Sequence, residues 1–218
     1  MGLVLIREGS DEVGADEVAS RAFALGIPVR PVSDPVIRRM TSVGEKSELL
    51  ALVGRKPAEH LEQVFERGGA VWLLVGLAYP SNAGMVIRTA EGSGAAGIVI
   101  DASWDHVERR TATRTSMRAD WYLPVLWHSA EEVFELARAH RHRVFGIENT
   151  GESAPWDEDL TGPALFVVGG EANGIPAPLL ARCDAVLRLP MAGFIPSYNL
   201  QAATAVVAVE RLRQIAAS

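Results

Sequence analysis

From residue 71 onward the chain carries short, uninterrupted apolar runs at regular intervals: Val71-Trp72-Leu73-Leu74-Val75, Gly97-Ile98-Val99-Ile100, Arg143-Val144-Phe145-Gly146-Ile147, Leu165-Phe166-Val167-Val168 and Val186-Leu187-Arg188-Leu189. Runs that are continuous rather than alternating predict strands covered on both faces, the signature of a parallel sheet. Between them the spacing predicts helices over 82–91, 108–117, 130–140 and 178–182, and the chain closes on a helix over 200–210 that is apolar on nearly every side. Strand and helix in alternation give an open α/β sheet, and such sheets bind ligands outside the carboxyl ends of their strands.

The first 56 residues follow the same grammar on a smaller scale. Strands are predicted over 3–6 and 49–53, with a second strand entered through the turn Gly26-Ile27-Pro28-Val29 and helices over 16–25 and 34–40, which makes a small α/β module. Arg55-Lys56-Pro57 marks a boundary, because a proline after two cations suits the first turn of a helix. A linker helix over 58–67, stopped by Gly68-Gly69, completes a connecting segment over 57–70, and the larger domain spans 71–218.

Three polar constellations interrupt these patterns at strand ends. The run ending at Val75 leads into Ala78-Tyr79-Pro80-Ser81-Asn82-Ala83-Gly84, followed by a helix with Arg88 two turns in. The run ending at Val168 leads into Gly169-Gly170-Glu171-Ala172-Asn173-Gly174-Ile175-Pro176. The last run leads into Leu189-Pro190-Met191-Ala192-Gly193-Phe194-Ile195-Pro196-Ser197-Tyr198-Asn199, directly before the final helix. A helix start offers unpaired N–H groups and the positive end of a dipole, so a bent loop feeding it makes a site for a polar ligand. Ser197 and Asn199 either cap that turn or face the ligand. Gly169-Gly170 is either a plain strand-end turn or a close approach to a ligand, and Gly-Gly-Glu-Ala-Asn-Gly lacks the spacing of a dinucleotide phosphate loop.

Composition narrows the chemistry. A chain of 218 residues and 23.4 kDa supplies enough core without staples, and Cys183, the single cysteine, rules out an internal disulfide. No segment reaches the roughly 20 apolar residues of a membrane helix, so a cytoplasmic protein is expected. The five histidines, His60, His106, His128, His140 and His142, show no metal-ligand spacing, so no metal is expected. A formal charge of −6 is not the footprint of bulk electrostatic binding to nucleic acid. Any such contact is local, and the candidate is Arg109, Arg110, Arg114 and Arg118, which otherwise form a solvated helix face. Asp101 and Glu148 follow strands and are read as surface acids or as contacts to a bound ligand.

The three constellations, in this order, resemble the motifs of the SpoU-like branch of the SPOUT methyltransferase superfamily. Asn82, Gly84 and Arg88 fall on its first motif, Glu171 and Gly174 on its second, and Pro190, Met191, Gly193, Ser197 and Asn199 on its third. The resemblance covers residues 71–218 and implies a deep trefoil knot in the last third, which periodicity cannot reveal. It implies S-adenosylmethionine as cofactor, a ribose 2′-hydroxyl of ribosomal or transfer RNA as substrate, and a homodimer whose pocket needs both chains. By family position Gly169, Gly170, Leu189, Met191, Gly193 and Tyr198 fall on the cofactor side. Arg88, Asn82, Glu171, Ser197 and Asn199 fall on the catalytic side, with Asn82 capping the helix of Arg88 and Glu171 paired with an arginine.

The first module is similar to the L30e-type RNA-binding domain of such proteins, with the departure that a helix and a strand usually precede the equivalent of Leu3. The module is therefore expected to be shortened or to lack its start. In 114–125 many relatives have Ser-x-Gly-Ala, and Arg118 stands where that glycine would be. The acidic charge and Arg118 leave room for a methyltransferase acting on a small molecule, and a non-catalytic RNA-binding relative is the remaining alternative.

Overall fold

A computed structural model describes residues 2–9, 13–40, 48–53, 60–194 and 197–218. The chain divides into two compact units, 1–56 and 57–218. In the first, β1 (Gly2–Arg7), α1 (Val13–Ala24), β2 (Val29–Val32), α2 (Asp34–Met40) and β3 (Leu49–Val53) form a three-stranded sheet of order β2-β1-β3. Strand β1 runs parallel to β2 and antiparallel to β3. Val4, Leu5, Ala15, Ala22 and Ile37 make its core, and Arg7 reaches both Asp34 (3.2 Å) and Glu48 (3.1 Å).

The expected boundary residues Arg55, Lys56 and Pro57, with Ala58, lie outside the described residues. The helix expected to link the two parts, α3 (Leu61–Glu66), buries Leu61, Val64 and Phe65 within the second unit. The rest of that unit comprises β4 (Ala70–Val75), α4 (Pro80–Gly92), β5 (Gly97–Asp101), α5 (His106–Thr115), β6 (Val125–Trp127), α6 (Ala130–Ala139), β7 (Arg143–Ile147), β8 (Ala164–Gly169), α7 (Ala177–Leu180), β9 (Ala185–Leu187) and α8 (Leu200–Ala217). Single 3-10 turns occur at Ala119–Trp121 and Pro155–Asp157.

All six strands of the second unit run parallel, in the order β6-β5-β4-β8-β7-β9. Both faces are covered, which explains the continuous apolar runs. Trp72 and Leu74 of β4 point into one core with Ile98, Ile100, Phe145 and Phe166, while Val71, Leu73 and Val75 point into the other with Phe65, Phe134 and Val144. Aromatic stacking ties the first core across strands, with Trp72 and Phe166 ring centroids 4.8 Å apart and Phe145 and Phe166 5.5 Å apart. Helices α4 and α5 approach so closely that a Cβ on Gly84 would lie 2.5 Å from the Ala112 carbonyl oxygen and 2.6 Å from the Thr115 Cβ. That motif glycine is thus required by helix packing.

The α/β class and the parallel sheet are those predicted, with two differences. Strand β6 was not foreseen: three residues between Pro124 and His128 are too few for a pattern to register. Helix α8 continues to Ala217, beyond its apolar part, because Arg211 and Gln214 hold the 153–162 segment. The Arg211 guanidinium donates to the Leu160 and Gly162 carbonyls, and Gln214 accepts from Leu160 N (2.8 Å) and donates to the Glu158 carbonyl (3.0 Å).

Candidate active site

The strand order reverses between β4 and β8: β4 leads outward to β5 and β6, and β7, β8 and β9 fill the other side. A crevice opens where loops diverge from such a point. Beside it, at the ends of β7, β8 and β9, lies a cleft of about 560 Å³, within the range of small-ligand sites. Its walls are the ends of β7 (Ile147 to Asn149) and β8 (Val168 to Gly174), the loop after β9 (Leu187, Leu189, Met191, Ser197 to Asn199), and the first turn of α8 (Leu200, Ala203).

The β8 wall is built by backbone crowding. A Cβ on Gly169 would overlap the backbone of Gly174 and Ile175, and one on Gly170 would overlap the Gly76 carbonyl. Gly174 has φ +62, a left-handed conformation that favours glycine, and a side chain there would strike the Glu148 carboxylate. Glu148 Oε1 accepts a hydrogen bond from Ile175 N at 2.6 Å, so this strand-end acid fastens the turn while lining the cleft.

Glu171 joins the first and second motifs. Its carboxylate accepts from the Asn82 side-chain amide (2.5 Å) and from Ala78 N (3.2 Å). The expected arginine partner is therefore replaced by an amide and a backbone N–H. The reason lies in how α4 begins. Tyr79 takes the N-cap place without a side-chain cap, and Pro80 opens the helix, as its fixed φ and missing N–H allow. Asn82 then sits inside the first turn, where it does not cap and its amide is free to reach Glu171.

In the third motif Asn199 is the N-cap of α8, its side chain accepting from Gln201 N at 2.9 Å. Tyr198 donates its hydroxyl to the Pro190 carbonyl at 2.9 Å, drawing the loop closed. Ser197 lines the cleft with no hydrogen-bond partner among the described residues. Ile195 and Pro196 of this motif lie outside the described residues.

The structure thus gathers Gly169, Gly170, Glu171, Leu189, Met191, Ser197, Tyr198 and Asn199 around one cleft and ties Asn82 to its wall. Gly193 and Arg88 do not line it. Arg88 is exposed on α4, with no hydrogen bond or ion pair among the described residues. Arg109, Arg110, Arg114 and Arg118 stand apart on α5 and the turn after it. Arg109 donates to the Trp104 carbonyl (3.2 Å) and lies over the Trp127 ring (5.2 Å); Arg118 lies over Trp121 (4.8 Å). Arg118 has φ 70 and ψ 19, a left-handed conformation that favours glycine.

Sequence reasoning missed Asn149 and Asn173 in the wall, although a polar residue just past an apolar strand run is the signal that finds them. Asp101, by contrast, accepts from Ala130 N at 2.8 Å and serves the start of α6. Among the described residues no group of histidine, cysteine and acids is placed to hold a metal ion, and no helix is long and apolar enough to cross a membrane. Buried His142 meets the Phe65 ring edge-on at 5.0 Å, and burial lowers its pKa below the ordinary histidine value. Cys183 is half-buried, and burial, reinforced by the neighbouring Asp184, pushes its thiol up to about 11, which suits packing rather than nucleophilic attack.

The donor set of the cleft fits an adenosine-bearing cation. Leu187, Leu189, Leu200 and Ala203 offer apolar surface for a flat base, the glycine turn brings backbone groups close, and Glu148 and Glu171 place negative charge in the wall.

Among characterised proteins, the 23S rRNA (guanosine-2′-O-)-methyltransferase RlmB of Xanthomonas axonopodis pv. citri is 29% identical over 97% of this chain and 88% of its own. The protein of the same name from Pseudomonas syringae pv. tomato is 30% identical over 71% of this chain and 63% of its own. A crystal structure of an RNA 2′-O ribose methyltransferase superposes with a TM-score of 0.63 at 26% identity, covering 97% of this chain and 80% of that one. The SpoU methyltransferase AviRb from Streptomyces viridochromogenes, solved with its cofactor AdoMet, shares the fold, with a TM-score of 0.67 at 22% identity over 97% of this chain and 82% of that one. The SpoU rRNA Methylase family profile matches residues 70–209, a span that holds every strand of the larger sheet and the whole cleft, and the chain belongs to that family.

Proposed function

We propose that this protein transfers the methyl group of S-adenosylmethionine to a ribose 2′-hydroxyl of RNA, with ribosomal RNA as the substrate class its relatives' names favour. The observation that supports this reading is that the loops at Gly169 and Leu189 wall one cleft, to which the start of α4 is tied by the Asn82–Glu171 hydrogen bond. When bound, S-adenosylmethionine supplies an electrophilic methyl on a positive sulfonium.

The chain's own residues then do three things. Leu187, Leu189, Leu200 and the Gly169-Gly170 turn hold the cofactor, aided by Met191 and Tyr198. Glu171 locks Asn82 and the start of α4, which fixes the helix that carries Arg88. Arg88 is always protonated, so it does not act as a base. It grips the phosphate beside the target ribose and aligns the hydroxyl, whose proton leaves to phosphate or solvent. Ser197 and Asn199 form the polar side facing the ribose.

Because Arg88 lies outside the lining of its own cleft, the reading includes a homodimer in which a second copy completes the site. The exposed stripe Val206, Val209, Leu212 and Ile215 on α8 supports such pairing. A deep trefoil knot in the last third of the chain and an RNA-gripping role for the first unit belong to the same reading, and the cytoplasm is where such a substrate is met.

The test is methyl transfer from labelled cofactor into ribosomal and transfer RNA. Arg88→Lys keeps the charge but loses the two-pronged grip, and turnover is expected to fall about 100-fold with unfolding unchanged. Near-normal turnover would defeat the clamp, and label in no RNA despite cofactor binding would point to a small-molecule acceptor.

A further inference from the structure

We infer that the end of α5 and the 3-10 turn at Ala119–Trp121 form a stacking platform for single-stranded RNA flanking the target nucleotide. The inference rests on the methyl-transfer reading for what the RNA is, and on its own observations for where it is held.

Four arginines, Arg109, Arg110, Arg114 and Arg118, fall within ten residues of a chain whose net charge is −6, which makes this stretch a local reversal of sign. The acids among them are committed elsewhere. Glu108 accepts from Asp105 N (2.9 Å) in the capping box that starts α5, and Asp120 Oδ1 lies 3.2 Å from the Ser116 hydroxyl oxygen. Among the described residues no ion pair neutralises any of the four.

Beside this charge stand two neighbouring aromatic rings in solvent, Trp121 at 58% and Tyr122 at 54% exposure. An exposed Trp-Tyr pair does nothing for the core, whereas every nucleobase has a face that stacks on such rings. The Arg118 guanidinium lies 4.8 Å from the Trp121 ring centroid, so a cation and an aromatic face are offered together. The platform is firmly seated: Ser116, Ala119 and Leu123 beneath it are buried, and the Ser116 hydroxyl donates to the Thr113 carbonyl at 2.6 Å. Met117 (φ 56) and Arg118 (φ 70) are both left-handed, and that turn throws the chain from α5 into the aromatic pair.

Placement supports the same partner. The contact of Gly84 with Ala112 and Thr115 sets the last turn of α5 against the early turns of α4, and the 3-10 turn packs on α4 as well. The first turn of α4 carries Asn82, bonded to Glu171 in the cleft wall, and α8 flanks α4 too. Platform and cleft thus both adjoin α4, and an RNA strand with its ribose at the cleft would cross α4 to reach Trp121. Duplex bases present no open faces, so the platform selects unpaired nucleotides.

Equilibrium binding of a fluorescent single-stranded RNA of about twelve nucleotides to the full chain tests this. Trp121→Ala should weaken binding about 10-fold with the salt dependence unchanged, and Trp121→Phe should restore most of the loss. Arg118→Gln should instead make the salt dependence shallower by about 0.7 in log–log slope, one phosphate contact on a single strand. Affinity of Trp121→Ala within about twofold of wild type, or a wild type that prefers the duplex of the same sequence, overturns the platform. Calorimetric binding of S-adenosylmethionine, expected to be equal in all three variants and wild type, separates the two readings. A wild type that ignores the cofactor yet binds RNA through Trp121 would sink the methyl-transfer reading and leave the platform standing.

Discussion

The two walls of the cleft are fixed by different physics. In the 169–174 wall the chain is wedged against itself: Gly169 against Gly174 and Ile175, Gly170 against Gly76, and Gly174 against Glu148. In the 189–199 wall Gly193 has nothing within 4 Å of where a side chain would be, Phe194 is wholly exposed, and closure rests on the Tyr198 hydroxyl bond to Pro190 and the Asn199 cap. The glycines of the first wall are demanded by the fold before any ligand arrives. In the second, by contrast, neither Gly193 nor Phe194 is held by such crowding.

Substitutions on either side can break this contrast. The largest effect is expected for Gly169→Ala, whose methyl overlaps backbone that cannot swing aside, costing about 3 kcal/mol in chemical or thermal unfolding. Unchanged unfolding would show that this wall yields after all. Next comes the tie between the first wall and α4. A double-mutant cycle on Asn82→Ala and Glu171→Ala should give a coupling of about 0.5 kcal/mol, kept small because Glu171 is exposed to solvent. Strict additivity would mean the bond holds nothing. The smallest effect is expected for Gly193→Ala, within about 0.5 kcal/mol of wild type, since a methyl there meets open space. A destabilisation as large as that of Gly169→Ala would erase the difference between the walls.

How far the sequence reached depended on distance along the chain. Strands β4, β5, β7, β8 and β9 were legible because burial on both faces leaves an unbroken apolar run, whereas β6 escaped because Val125-Leu126-Trp127 is too short to show one. Asn199 was legible as a cap because it bonds Gln201, two residues on. Asn82, of the same residue type before a similar helix, was misread as a cap. Its partner Glu171 is 89 residues away, and Pro80 had already shifted the helix start. The same distance hid the partner of Glu171 itself, for which an arginine was a reasonable but mistaken expectation.

Local chemistry, carried by neighbours a few residues apart, was enough to set the strands and helices other than β6, the glycine turns, the cap at Asn199 and the ordered motifs. The strand order was not, because periodicity says which residues are buried and not which strand lies beside which. Only tertiary packing put β8 next to β4, and with it Glu171 against Ala78 and Asn82, Glu148 beneath Ile175, and three loops around one cleft. Those contacts depend on sheet register across tens of residues, a quantity that no short window of sequence contains.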